Sequence, residues 1–355
     1  NQPFYIIPYL FMEIPVLEKH IFFMQYRFLD VIKYIMALFV VGIHCLQFNV
    51  QAVPLWVYFF LRWAVPIFFI TSGYLLERKT QTKSIDKANI IYEQFLRKSV
   101  NRYLIWTVIY LPITLFIFWT NDYNWVIDLL FFIRNFIFVG EQPFSWPLWY
   151  LLALIVAVFI IKYFRTRGVH LKALWYTGLI FLLVGCGYDQ LDIENLPEIP
   201  QLLCKACKWI FPNARNGVFQ GLAYVSTGMM IFHLQKYSLR IKFILFTLCM
   251  SASALVFVIG NLTPFSGLLS GIAVFVVAIE INLPEKKIYT WLRKESILIY
   301  FLHMYFVFLL SRIWGHFTSD VYNLWLLCAI LSTLTASIII KLSQKPCFKW
   351  INEII

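Results

Sequence analysis

The chain has 355 residues, of which 61% are hydrophobic and only 14% charged, and its mean hydropathy is +0.73. Soluble domains carry about a quarter of their residues as charges, so this chain lacks the polar surface of a water-facing globule; a soluble enzyme with one anchor, a disordered chain and a collagen-like chain are excluded. The net charge of +12 comes from 30 Lys/Arg against 18 Asp/Glu. In a soluble protein it would suggest nucleic acid, but in a membrane protein it is tested first against topology, and no nucleic-acid partner is expected.

Stretches of span length occur in chain order at 29–50, 54–76, 103–120, 146–163, 173–188, 216–234, 243–260, 265–282, 296–314 and 324–341. The loops between them alternate in sign. Residues 77–102 carry Arg78, Lys79, Lys83, Lys87, Arg97, Lys98 and Arg102, and 162–172, 235–242, 283–295 and the tail are also basic. Such loops are cytoplasmic. The opposite loop 189–200 holds Asp189, Asp192, Glu194 and Glu198 without a cation. The apolar segment 124–140 contains Asp128 and Arg134, and counting it as a span would put a basic loop outside. It therefore reads as an interfacial or re-entrant helix on the outer side.

The expected molecule is an all-α polytopic membrane protein of about ten transmembrane helices, with both termini cytoplasmic, multi-pass in the cell membrane. An interfacial segment 1–28 precedes a transmembrane domain 29–342 and a cytoplasmic tail 343–355. The seven cysteines lie mostly in apolar segments, as small buried hydrophobes do. Cys204 and Cys207 form a lone CxxC with no second pair at matching spacing, so no metal site is expected.

Ionisable residues inside spans are functional candidates because hydrocarbon disfavours them. The first span holds Asp30, Lys33 and His44. The eleven-residue interval from Lys33 to His44 is about 20° past three turns, so the two share a face roughly 16 Å apart, with Asp30 about 40° away. Alternative roles are an interhelical hydrogen bond for His44 and snorkelling for Lys33. In the second span Arg62 precedes Pro66 and Gly73, which should kink or end the helix. His303 lies about mid-span in the ninth.

These residues resemble the integral-membrane acyltransferase-3 family, which acylates hydroxyls of cell-surface polysaccharides and related glycans. The matching pieces are Leu29-Asp30-Val-Ile-Lys33 with His44, Val65 to Tyr74, Phe95 to Trp106, Trp146-Pro-Leu-Trp149-Tyr150, Arg215 to Met229, and Ser296 to His303. Two departures stand out. Lys33 replaces the family's arginine, keeping the charge but losing the planar fork, and Ser99 stands where the first of two paired arginines would be, with Arg102 matching the second.

The resemblance implies a cytoplasmic acyl-CoA donor, acetyl-CoA in the first instance, and an acceptor hydroxyl on a surface glycan or lipid-linked sugar at the outer side of the bilayer. His44, with Asp30, is then expected at the catalytic step, as general base or transient acyl carrier. Lys33, Arg97, Lys98 and Arg102 are expected at the donor phosphates. Arg62, Arg215, Trp149 and His303 are candidates on the acceptor side, although Trp146, Trp149 and Tyr150 also fit an interfacial aromatic belt. The competing reading is a transporter or flippase of an amino acid or lipid-linked sugar with no chemistry.

Overall fold

A segment crossing a bilayer must satisfy its own backbone polar groups, and this chain does so with helix. The computed structural model describes residues 26–48, 53–120, 124–260, 262–314 and 320–353. Among them are thirteen α-helices and no strand. They are α1 (Arg27–Cys45), α2 (Leu55–Leu61), α3 (Ala64–Thr80), α4 (Ile85–Thr120), α5 (Trp125–Arg134), α6 (Leu148–Arg165) and α7 (Leu171–Gln190). There follow α8 (Glu198–Ile210), α9 (Leu222–Phe232), α10 (Leu239–Ile259), α11 (Thr263–Ala278), α12 (Lys287–Trp314) and α13 (Val321–Leu342).

Eight helical segments are long and apolar enough to cross a membrane: α1, α2 with α3, α4, α6, α7, α10, α12 and α13. The other two expected spans are built differently. At 216–234 a five-residue π-turn, Gly217–Gly221, runs into α9 and then a 3-10 turn, His233–Lys236; the other is the 16-residue α11. Helix α9 is buried along nearly its whole length, so it is enclosed by protein and does not have to match the lipid. The expected interfacial segment 1–28 lies almost entirely outside the described residues. At 124–140 the structure has the short helix α5 and a π-turn, closed by Gly140 at φ 83°. Asn124 caps α5 by accepting from the Val126 amide at 2.9 Å.

The second span breaks at Arg62–Trp63, between α2 and α3. Pro66 lies four residues on, where its missing N–H and its ring exclude a bond to the Arg62 carbonyl. Gly73 does not kink the chain as expected. It lies inside the continuous α3, where α9 packs so closely that an added Cβ would come within 2.0 Å of the Val225 carbonyl oxygen.

The buried apolar residues form two clusters. One joins α1, α4, α12 and α13; the other joins α3, α6, α7, α9 and α11. Large apolar side chains such as Val108, Ile180, Leu248, Leu255 and Leu326 are exposed on the outside of the bundle, as on a surface that meets lipid. Within α4, Pro112 has no N–H to give the Val108 carbonyl. In the same turn the Ile109 carbonyl accepts from the Tyr305 hydroxyl, and Tyr110 donates to the Phe301 carbonyl, so α4 and α12 are tied at this point. The seam between the two clusters is where the candidate site lies.

Candidate functional site

Two cavities open along the seam, one towards each end of α1. The first, of about 400 Å³, is lined by Lys33 near the start of α1, Lys79 at the end of α3, Lys98 and Arg102 of α4 and Arg293 of α12. No carboxylate is among its lining residues. Asp30 sits behind Lys33 in an ion pair of 2.7 Å, with the two side chains 12% and 14% exposed. Five cations around a single cavity give it the electrostatics that suit an anion.

Sequence reasoning named Lys33, Lys98 and Arg102 for this place, and the structure brings them together. Arg97 is exposed and does not line the cavity, because it lies on another face of α4. Lys79 and Arg293 were missed as ordinary loop cations. A helical signal existed for both, since Lys79 lies seven residues after Ser72 and Arg293 seven before Tyr300, an interval that keeps side chains on one face. Asp30 is not near His44. Fourteen residues of helix separate them by about 21 Å, so the carboxylate holds Lys33 and does not orient the histidine.

The second cavity, of about 390 Å³, is lined by His44, Arg62, Trp149, Arg215, Gln220 and Tyr224 among others. His44 is buried, and its Nδ1 has no hydrogen-bond partner within the protein. Its ring stacks on His303, with centroids 5.2 Å apart and planes at 25°, and lies 5.5 Å from Trp146. His303 Nδ1 is 3.0 Å from the Ile299 carbonyl oxygen. A carbonyl only accepts, so Nδ1 carries the proton and Nε2 of the neutral ring holds a lone pair. That Nε2 is also buried without a partner. Two adjacent imidazoles thus keep unmet hydrogen-bonding capacity beside the cavity, at a cost of about 1–3 kcal/mol each unless a bound group supplies the partner.

Arg215 is set by its loop. The Asn213 side chain accepts from the Arg215 amide at 2.9 Å, Asp189 accepts from the Ala214 amide at 2.8 Å, and Asn216 accepts from the amides of Val218 and Phe219 at 3.0 and 2.9 Å. The Arg215 guanidinium then pairs with Glu141 at 3.3 Å and lies 5.8 Å over the Trp149 ring. Burial pushes the Glu141 carboxyl above the usual carboxylate range, and Arg215 opposes that shift. Trp149 is 6% exposed and lines the second cavity with its ring beneath Arg215. Tyr150, within 3.3 Å of the Ser72 hydroxyl, faces the first cavity. These two aromatics line the interior and do not form an interfacial belt. Arg62 reaches the second cavity from the break between α2 and α3.

Among the described residues no group of three or more His, Cys, Asp or Glu could hold a metal ion. The arrangement sets a cation-lined chamber beside a chamber lined by His44, on which His303 stacks, and by two guanidinium groups. A family profile described as "Acyltransferase domain" matches residues 26–342. No curated protein and no solved structure matches the chain.

Proposed function

The chain belongs to the acyltransferase-3 family of membrane O-acyltransferases, and we propose that it moves a short acyl group from acyl-CoA, held in the cationic cavity, to a glycan hydroxyl in the cavity that contains His44. That it is an acyltransferase, transferring groups other than aminoacyl groups, follows from the family. The identity of donor and acceptor is the proposal. The observation that carries it is the pairing of two chambers on one seam, one lined by five cations without a carboxylate and the other by His44.

Coenzyme A is a long polyanion. Lys33, Lys79, Lys98, Arg102 and Arg293 suit its phosphates through charge-assisted hydrogen bonds, and its extended arm has the order of length of the ~16 Å that separates Lys33 from His44 along α1. In the second chamber the acceptor hydroxyl gives its proton to the His44 imidazole as its oxygen attacks the thioester carbonyl. The carbonyl–sulfur bond breaks, and the coenzyme A thiolate leaves and recovers the proton. Arg62 and Arg215 are placed to hold the acceptor or the developing oxyanion, while His303 stacks on His44 and fixes its ring. Basic loops at the donor end support a cytoplasmic donor and an acceptor outside the cell membrane.

The test uses purified protein in liposomes with labelled acetyl-CoA and the host's surface glycan or its lipid-linked precursor. His44→Ala should lower transfer about 10²–10⁴-fold, the range for a positioned general base, while acetyl-CoA affinity is retained. A wild-type protein that neither binds nor consumes acetyl-CoA, yet speeds passage of the acceptor across the bilayer, would establish the transporter reading in its place.

A further inference from the structure

Tyr300 is the one described residue that lines both cavities. Its ring is 4% exposed and is met edge-on by Phe68 at 5.4 Å, Tyr150 at 5.5 Å and Phe301 at 4.9 Å. Its hydroxyl donates to the Pro147 carbonyl at 3.1 Å. Side chains of α3, α6 and α12 therefore fix the ring, and the turn before α6 anchors its tip. Phe68 and Tyr150 belong to the cationic chamber, whereas Pro66 and Trp149, beside them in sequence, belong to the other.

We propose that Tyr300 is the septum of the transfer path: it keeps the two chambers from joining into one water-filled channel and makes the reacting group pass beside its ring to reach His44. The chemical part of this inference rests on the acyl-CoA reading; the barrier itself does not. Two wells of such volume entering from opposite ends of a bundle form a pore if nothing divides them. A thioester open to such a pore is attacked by water as readily as by an acceptor. In that leak a water oxygen forms the new bond to the carbonyl carbon, the carbon–sulfur bond breaks, and the products are free acid and thiol. A packed aromatic ring excludes that water. If Tyr300 were only a packing residue, its truncation would lower transfer and hydrolysis together.

The experiment reads the barrier and the chemistry separately, in the full chain. Cys204, Cys207 and Cys347 are replaced by serine, and Ser72→Cys places a reporter thiol in the cationic chamber. A small membrane-impermeant methanethiosulfonate is then applied to intact cells and, separately, to inverted vesicles. With Tyr300, or with Tyr300→Phe, which keeps the ring, the reporter should react in only one of the two preparations. With Tyr300→Ala, or the milder Tyr300→Leu should the alanine variant not fold, it should react in both, and acetyl-CoA hydrolysis without acceptor should rise severalfold relative to transfer. Labelling from both faces with Tyr300 intact, or from one face in a folded Tyr300→Ala or Tyr300→Leu protein, overturns the septum. If the labelling switches as expected but the wild type never consumes acetyl-CoA, the septum stands and the acyl-CoA reading falls.

Discussion

Lys33 shows how a single side chain is made serviceable where charge is disfavoured. It lies on the wall of the cationic chamber and is held at 2.7 Å by Asp30, one turn earlier on α1. An ion pair this buried adds little net stability, because desolvation offsets the attraction, but removing one partner costs about 3–5 kcal/mol by leaving the other uncompensated. Asp30→Asn should therefore lower the thermal midpoint of the detergent-purified protein. The double change Asp30→Asn with Lys33→Met should recover most of that loss and still bind acetyl-CoA weakly, since the phosphate partner is gone. A catalytic Asp30 would give a different result, with transfer abolished by Asp30→Asn at an unchanged midpoint. The pair was legible as two charges three residues apart. That Asp30 serves Lys33 and not His44 follows from axial distance, because sharing a helix face does not bring side chains about 21 Å apart into contact.

At the scale of elements, the seam depends on how closely α3 and α9 approach. Bilayer helices gain nothing from burying apolar surface against one another, so close packing of small residues takes over. The contact is reciprocal: a Cβ on Gly73 would stand 2.0 Å from the Val225 carbonyl oxygen, and one on Gly228 would stand 2.1 Å from that of Ile70. Neither neighbour is a side chain that can swing away. Gly228→Ala should therefore push the helices apart, lower the thermal midpoint at an overpacking cost of about 1–3 kcal/mol or more, and reduce transfer, because α3 and α9 carry Ser72 and Tyr224 to the two chambers. Gly187→Ala is the control. Nothing lies within 4 Å of its added Cβ, and the midpoint should hold or rise slightly, as alanine is the better helix former. Spans were legible from sequence because hydropathy is a property of consecutive residues; His44 and Arg62 stood out as ionisable groups among apolar neighbours, and Arg215 entered only through the stretch that resembles the family. Tyr300 did not, since a tyrosine in an aromatic helix is ordinary until two other helices and a turn are placed around it.

The whole molecule is polar along its length in a way that matches its two chambers. At the end bearing Lys33 and Arg293, cations exceed their partners, although Arg27 with Glu285, Lys162 with Glu93 and Lys242 with Glu280 pair some of them. At the other end Asp189, Asp192, Glu194 and Glu198 precede Arg215, and the amphipathic helix α8 exposes Ile199, Leu202, Leu203 and Trp209. On the proposed function, basic loops retained in the cytoplasm put the cationic chamber on the side that supplies acyl-CoA and the His44 chamber on the outer side. Native thiols can test this orientation, because Cys347 in the tail and Cys207 on α8 are exposed while Cys45, Cys186, Cys249 and Cys328 are buried. In intact cells an impermeant maleimide should label Cys207 and leave Cys347 unmodified until the membrane is permeabilised, with Cys207→Ser and Cys347→Ser assigning each signal. Labelling of Cys347 in intact cells, with Cys207 protected, would invert the molecule. The cationic chamber would then face away from acyl-CoA, and its five cations would have to serve an anion supplied from outside.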